Sequence, residues 1–167
     1  MMKVVLLRHA ARPTHDPGDC SLTTYGLAQA EALARAIAPQ GDLPIPTQLL
    51  ASPKKRAQQT LTPLAQFTQL RLEIEHRLDE RRQNETSKEF DLRISTLITE
   101  LSHPPARPDG CVYLCSHFDW LQTAIILLPS SSSPADLDRN WANCEFLVFR
   151  INEGLWDLVH SGVVAPR

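Results

Sequence analysis

The sequence lacks a surplus of charge of either sign, which bears on the partners it can have. Its 17 lysines and arginines stand against 19 aspartates and glutamates, so the formal net charge is −2 over 167 residues. Binding to a phosphate backbone at physiological salt depends on a basic surplus. The balance therefore argues against nucleic acid as the main partner.

Long apolar runs are also missing near the N-terminus. The longest uninterrupted run there is Val4 to Leu7. A signal-peptide core needs about 7 to 15 apolar residues and a membrane span about 20. We therefore expect a cytoplasmic protein without a membrane partner.

Cysteine is sparse and forms no Cys-x-x-Cys pair. The four cysteines are Cys20, Cys111, Cys115 and Cys144. Cys111 and Cys115 lie on one predicted strand, where a rise of about 3.3 Å per residue separates them by about 13 Å. They cannot bridge each other, and we predict small buried thiols rather than disulfides, metal ligands or redox groups.

Length and composition are those of an ordinary globular protein. Hydrophobic residues make up 43% and charged residues 22% of the chain. At about 150 residues per domain, this predicts a single domain over residues 1–167.

Hydrophobic periodicity predicts alternating strands and helices. The predicted strands are Lys3 to Leu7, Thr47 to Ala51, Leu70 to Ile74 and Cys111 to Cys115, followed by a hairpin of Glu145 to Ile151 and Leu155 to His160. The predicted helices are one capped by Thr23 and reaching Ile37, one opened by Ser52-Pro53 and continuing over 54–67, one marked by Phe90 to Leu101, and Phe118 to Leu128. Pro63 should kink or interrupt the second helix, because it deletes a backbone hydrogen bond.

This alternation predicts an α/β fold. We expect a three-layer sandwich, with a mostly parallel central sheet, helices on both faces and an antiparallel edge hairpin. Ligands of such sheets bind beyond the carboxyl ends of the strands. The segments that directly follow predicted strands are Arg8-His9, Ser52, Leu78 to Arg82 and Ser116-His117.

These segments should converge on one rim of the sheet. Arg56 lies one turn into the helix that opens at Ser52, so a guanidinium and a helix N-terminus face the same rim. Together with Arg8, His9 and His117, this places two guanidiniums and two imidazoles around one point. Such groups repel one another unless an anion lies among them, and a phosphoryl group is the natural occupant.

At this point the residues resemble a known family. Arg8-His9-Ala10 resembles the Arg-His-Gly signature of the histidine phosphatase (phosphoglycerate mutase-like) superfamily. Further similar motifs follow in family order between residue 3 and about residue 125: Leu22-Thr23 with Gly26 and Gln29-Ala30, Ser52-Pro53-x-x-Arg56-Ala57-x-Gln59-Thr60, Leu78-Asp79-Glu80 and Ser116-His117. The small size is similar to the compact branch of bacterial phosphohistidine phosphatases and small phosphomonoesterases.

The resemblance implies a phosphatase that works through a phosphohistidine. His9 would be the nucleophile, and water would then cleave its phosphoryl bond. Arg8, Arg56 and His117 would hold the phosphoryl oxygens, where the charge of a loose transition state is spread. Because two guanidiniums neutralise that charge, no metal or other cofactor is required.

A phosphomonoester also needs a proton on its departing oxygen. Family register makes Glu80 the donor, with Asp79 and then Glu85 as alternatives. Each of these acids could instead be a solvated loop residue paired with an arginine of the same segment. Arg12 and Arg81 are predicted substrate-binding residues, since cations facing the rim would favour an acidic or polyanionic substrate. Lys54 and Lys55 are interpreted as solvated charge in the first instance.

Two departures from the family pattern bear on the activity. Ala10 replaces the signature glycine and could restrict the backbone if a positive φ were needed. The asparagine found a few residues later in many mutases is missing, and only the 81–88 loop could act as a lid. These features favour a phosphomonoesterase over a mutase. A protein phosphohistidine phosphatase and a non-catalytic phosphate-binding module remain alternatives, and the substrate is a phosphorylated small molecule or a phosphoprotein.

Overall fold

The computed structural model describes residues 1–37, 41–103 and 109–166. Within these ranges, the strands are β1 Lys3–Arg8, β2 Gln48–Ala51, β3 Leu72–Ile74, β4 Cys111–Ser116, β5 Glu145–Asn152 and β6 Leu155–Val163. The helices are α1 Thr24–Arg35, α2 Lys55–Thr68, α3 Ser87–Ser102, α4 Phe118–Leu127 and α5 Pro134–Leu137, with a 3-10 turn at His76–Leu78.

The strands form one mixed sheet in the order β3-β2-β4-β1-β5-β6. β1, β2, β3 and β4 are parallel, and β5 runs antiparallel to both β1 and β6. The predicted mostly parallel sheet with an antiparallel hairpin at its edge is therefore confirmed. The parallel register aligns the strand ends, because Arg8 lies opposite Ser116 and Ala51 opposite Cys115.

Helices cover both faces of the sheet, as predicted. On one face Val5 and Leu7 pack in a cluster with Leu33 of α1 and Leu61 of α2. On the other face Val4 and Leu6 pack with residues of α3 and α4, including Ile94, Leu97, Trp120 and Leu121. Alternate residues of β1 thus serve opposite layers, which is why this strand reads as a continuous apolar run rather than an alternating one.

The start of α2 differs from the prediction. The helix begins at Lys55 with Lys54 as its N-cap, not with Ser52 as cap and Pro53 as the first helical residue. The Ser52 hydroxyl lies against the ring of His117 instead. Of the predicted kink or interruption at Pro63, the interruption is wrong, since α2 is continuous to Thr68. Fully buried leucines on both sides of this proline, Leu61 and Leu64, hold the helix against the core.

Two smaller predictions concern the start of β3 and the state of the cysteines. β3 begins at Leu72 rather than Leu70, because Gln69 adopts a left-handed conformation and the Leu70 N–H donates to the Ala65 carbonyl, closing α2. The prediction of buried free thiols is confirmed for all of the cysteines. None of the helices in the described ranges combines the length and apolar character that crossing a membrane requires.

Candidate active site

The carboxyl ends of β1, β2 and β4 bring the predicted residues together. The pairing continues past the strands, since the His9 N–H donates to the Ser116 carbonyl at 3.1 Å and the Ser52 N–H to the Cys115 carbonyl at 3.0 Å. As a result, the ring centroids of His9 and His117 lie 5.3 Å apart, with their planes tilted by 57°. Both side chains are buried, with His9 3% and His117 2% exposed.

The surroundings of His9 define which ring nitrogen carries the proton. Nδ1 lies 2.8 Å from the Ala10 carbonyl oxygen, which can only accept, so Nδ1 donates and Nε2 holds the lone pair. In agreement, Arg56 Nε donates to His9 Nε2 at 3.3 Å. Burial first, and then the charges of Arg56 and Arg8, lower the pKa of His9 to about 3. The ring is therefore neutral at physiological pH, with the Nε2 lone pair directed toward the guanidinium.

His117 is neutral for similar reasons. Burial, followed by the charge of Arg56, lowers its pKa to about 2. Its Nε2 lies 2.7 Å from Ser52 Oγ. Its Nδ1 is buried and has no hydrogen-bond partner among the residues that the structure describes.

The two guanidiniums of the predicted cluster are both present. Arg56, in the first turn of α2, is 2% exposed, and its Nη2 lies 2.7 Å from Glu80 Oε2. Arg8 donates from Nη1 to the Trp141 carbonyl, and its Cζ lies 5.5 Å from the centroid of the Phe118 ring. Arg8 Nε is buried without a partner in the described part of the chain. Burial and the neighbouring cations lower the pKa of Arg8.

Of the three candidate acids, Glu80 is the one whose side chain contacts Arg56. Asp79 is directed toward other cations, with Oδ1 3.9 Å from Lys54 Nζ and Oδ2 3.6 Å from Arg82 Nε. Glu85 forms a bidentate pair with Arg93, with both contacts at 2.7 Å, and this pairing lowers the pKa of Glu85 to about 2. Glu85 is thus a structural partner of Arg93.

The loop that carries Glu80 is held by side chains from two neighbouring elements. Arg93 of α3 donates to the carbonyls of Arg77 and Asp79, both at 2.9 Å, and to that of Glu80 at 3.3 Å. From the sheet side, Ser116 Oγ donates to the Leu78 carbonyl at 2.6 Å. These contacts fix the loop backbone, while the Glu80 side chain stays 39% exposed.

The predicted substrate-binding arginines lie in different surroundings. The positive charge of Arg12 lowers the pKa values of both histidines, and its Nη1 donates to the Asp16 carbonyl at 2.9 Å. Arg81 is exposed, and its Nε donates to the Glu85 carbonyl at 3.1 Å, within its own loop. Its role in binding substrate stays a prediction that this contact does not favour.

Lys54 reaches the site although the sequence suggested only a solvated charge. Its Nζ lies 3.6 Å from Glu80 Oε1, and its charge contributes to the lowered pKa of His117. The signal in the sequence was its place between a strand end and a helix start.

The sequence analysis also missed Asn143, whose Nδ2 donates to the carbonyl of His9 at 3.2 Å. No motif marks Asn143, which is far from His9 along the chain.

Ala10 fits this backbone without strain. It is not among the described residues with positive φ, and its methyl group is fully buried in the core. Its N–H donates to Thr60 Oγ1 at 2.9 Å, and the same hydroxyl donates to the Arg56 carbonyl at 2.7 Å. The replacement of the signature glycine is therefore compatible with the geometry around His9.

A comparison with protein families finds a match for the first half of the chain. Residues 4–83 match the model of the histidine phosphatase superfamily, branch 1, a segment that includes Arg8, His9, Arg56 and Glu80. The chain is thus similar to the histidine phosphatase superfamily over slightly less than half of its length. No curated protein sequence matches it.

Several solved phosphatase structures share the fold over nearly the whole chain. A phosphoserine phosphatase mutant from Entamoeba histolytica, in complex with phosphoserine, is 17% identical with a TM-score of 0.73, covering 96% of each chain. A mycobacterial glucosyl-3-phosphoglycerate phosphatase in complex with VO3 is 18% identical with a TM-score of 0.73, covering 96% of this chain and 99% of the other. The protein histidine phosphatase SixA in complex with tungstate is 18% identical with a TM-score of 0.68, covering 99% of this chain and 97% of the other.

Proposed function

We propose that this protein is a metal-independent phosphatase that hydrolyses a phosphomonoester through a phosphohistidine on His9. The observation that carries the proposal is the pairing of two neutral, buried imidazoles, 5.3 Å apart, with the guanidinium of Arg56 against the nucleophilic nitrogen. The likeness of residues 4–83 to the histidine phosphatase superfamily and the phosphatase structures with the same fold support it.

In the first step, His9 Nε2 attacks phosphorus. A P–N bond forms as the P–O ester bond breaks, and the departing oxygen takes a proton from the carboxylic acid of Glu80. Water then attacks the phosphohistidine and returns a proton to the Glu80 carboxylate. The P–N bond breaks, inorganic phosphate leaves, and His9 is again neutral.

The cations of the site supply the electrostatic stabilisation. Arg8 and Arg56 would bind the equatorial oxygens, where charge is spread in a loose transition state. Arg8 Nε and His117 Nδ1 are buried and unpaired among the described residues, and phosphoryl oxygens would satisfy both. Removing one such donor should lower kcat by about 10² to 10³-fold.

The first test is hydrolysis of p-nitrophenyl phosphate in the presence of EDTA. We expect turnover in the wild type and a loss of at least about 10³-fold in His9→Ala. The matched control is His160→Ala, which removes an exposed imidazole on β6 and should retain activity. Intact-mass measurement after rapid quenching should detect a bound phosphoryl group only when His9 is present. Unchanged turnover in His9→Ala would exclude the proposal.

Protein phosphohistidine phosphatase is the second candidate, supported by the likeness to SixA. The two candidates differ in the leaving group. An alkoxide needs a proton donor, whereas a phosphohistidine substrate has a nitrogen leaving group that requires less help. The position of Glu80 at the site, with Oε2 2.7 Å from Arg56 Nη2, supplies a carboxyl group for this role and so favours an oxygen ester. A non-catalytic binding module would instead bind inorganic phosphate in calorimetry and hydrolyse none of a broad substrate panel.

A further inference from the structure

The side chain of Ser52 lies against the ring of His117. Both residues are buried, with Ser52 fully inaccessible, and Ser52 Oγ lies 2.7 Å from His117 Nε2. The same oxygen accepts the backbone N–H of Lys54 at 3.3 Å. Ser52 is therefore held from two sides, by the start of α2 and by the imidazole.

These contacts determine the direction of the hydrogen bond. A serine hydroxyl has one proton to donate and two lone pairs. The Lys54 N–H uses one lone pair, and among the described residues no acceptor other than Nε2 lies within reach of the hydroxyl proton. The proton therefore points to Nε2, which must hold its lone pair. In a neutral imidazole, the remaining proton is then on Nδ1.

The surroundings of the other ring nitrogen of His117, Nδ1, support this tautomer independently. It is buried and has no partner among the described residues, although a buried N–H is costly to leave unpaired. His9 lies beside the ring of His117. An N–H at this place would satisfy an oxygen of the phosphoryl group that His9 accepts.

We propose that Ser52 is a positioning residue that fixes His117 in the Nδ1–H tautomer, so that Nδ1 donates a hydrogen bond to a phosphoryl oxygen. The proposal deepens the proposed function and rests on it for the identity of the ligand. It also explains why the serine of the Ser52-Pro53 segment does not cap α2. Its hydroxyl orients His117, which directly follows the neighbouring strand β4.

The direct test is the tautomer of His117, read from long-range ¹⁵N–¹H correlation spectra of protein labelled with ¹⁵N-histidine. The His117 signals are assigned by their loss in His117→Asn. The wild type should show protonated Nδ1 and unprotonated Nε2. Ser52→Ala should shift the tautomer ratio toward Nε2–H by about 2- to 10-fold, which corresponds to one ordinary hydrogen bond.

The control is Ser116→Ala, which removes the same hydroxyl from an equally buried neighbour whose bond is to the Leu78 carbonyl. This variant should leave the His117 tautomer unchanged. Ser52→Thr keeps the hydroxyl and should restore the wild-type pattern. Inorganic phosphate, measured by calorimetry, should bind Ser52→Ala about 2- to 10-fold more weakly than the wild type.

The wild-type spectrum alone can overturn the proposal, even if Ser52→Ala does not fold. Protonated Nε2 in the wild type contradicts it, as does a Ser52→Ala spectrum with the wild-type tautomer. Failure of the proposed function is seen separately. If Nδ1 of His117 is protonated but the protein hydrolyses no substrate, the phosphatase function is refuted and the tautomer assignment stands. If the protein hydrolyses substrate but Nε2 is protonated, the tautomer assignment is refuted and the phosphatase function stands.

Discussion

Acidification from pH 8 to pH 5 should destabilise this protein through His9 and His117. Burial and neighbouring cations lower their pKa values to about 3 and about 2 in the folded state, against 6.5 in the unfolded chain. Below pH 6.5 the unfolded state therefore binds protons that the folded state excludes. Stability is lost as the pH falls from 6.5 toward 3, and not on the alkaline side.

The magnitude follows from this difference. At pH 5 each unfolded histidine is almost fully protonated, which lowers the free energy of unfolding by RT ln(1 + 10^1.5), or about 2 kcal/mol per histidine. Both together contribute about 4 kcal/mol, a large part of a typical domain's stability. Carboxylates such as Glu85, with its pKa lowered to about 2, lose their contribution at lower pH, below the ordinary glutamate pKa of 4.5. A comparison of stability between pH 8 and pH 5 therefore reports mainly on the imidazoles of His9 and His117.

The assay is urea denaturation at pH 8 and pH 5 in buffers free of phosphate. The stability difference between the two pH values should shrink by about 2 kcal/mol in His117→Asn and by about 4 kcal/mol in His9→Asn/His117→Asn. His15→Asn, on an exposed loop, controls for the loss of an imidazole. An undiminished difference in the double variant would refute the reasoning, because it would mean that the buried rings do not resist protonation.

Two further predictions concern the acid loop. Glu80→Gln should lower kcat by about 10² to 10⁴-fold for an alkyl phosphate and much less for p-nitrophenyl phosphate, whose leaving group needs no proton. Asp79→Asn is the matched control, and an equal loss in it would contradict the assignment. Arg93→Leu should lower the free energy of unfolding by about 1 to 3 kcal/mol in urea titration, because it leaves the half-buried Glu85 carboxylate without its guanidinium partner. Adding Glu85→Leu should recover part of this loss, and no recovery would argue against the pairing.

The sequence alone determined the order of elements and the rim on which the chemistry lies. Apolar runs without alternation marked β1 and β4, and parallel strands must end at a common edge. The sequence therefore predicts that Arg8, His9, Arg56 and His117 lie together. Periodicity could not define where α2 starts, because Ser52 is suited equally to capping a helix and to bonding an imidazole across the sheet.

Tertiary structure decided what these groups can do. The tautomer of His9 depends on the Ala10 carbonyl, and the choice of Glu80 over Asp79 depends on how Arg93 and Ser116 hold their loop. Lys54 resembled a solvated charge until the fold placed it 3.6 Å from Glu80. Local sequence encodes which residues follow a strand. The pKa values, the proton positions and the unpaired donors arise from burial and from contacts between residues distant in sequence, and only the packed chain brings these together.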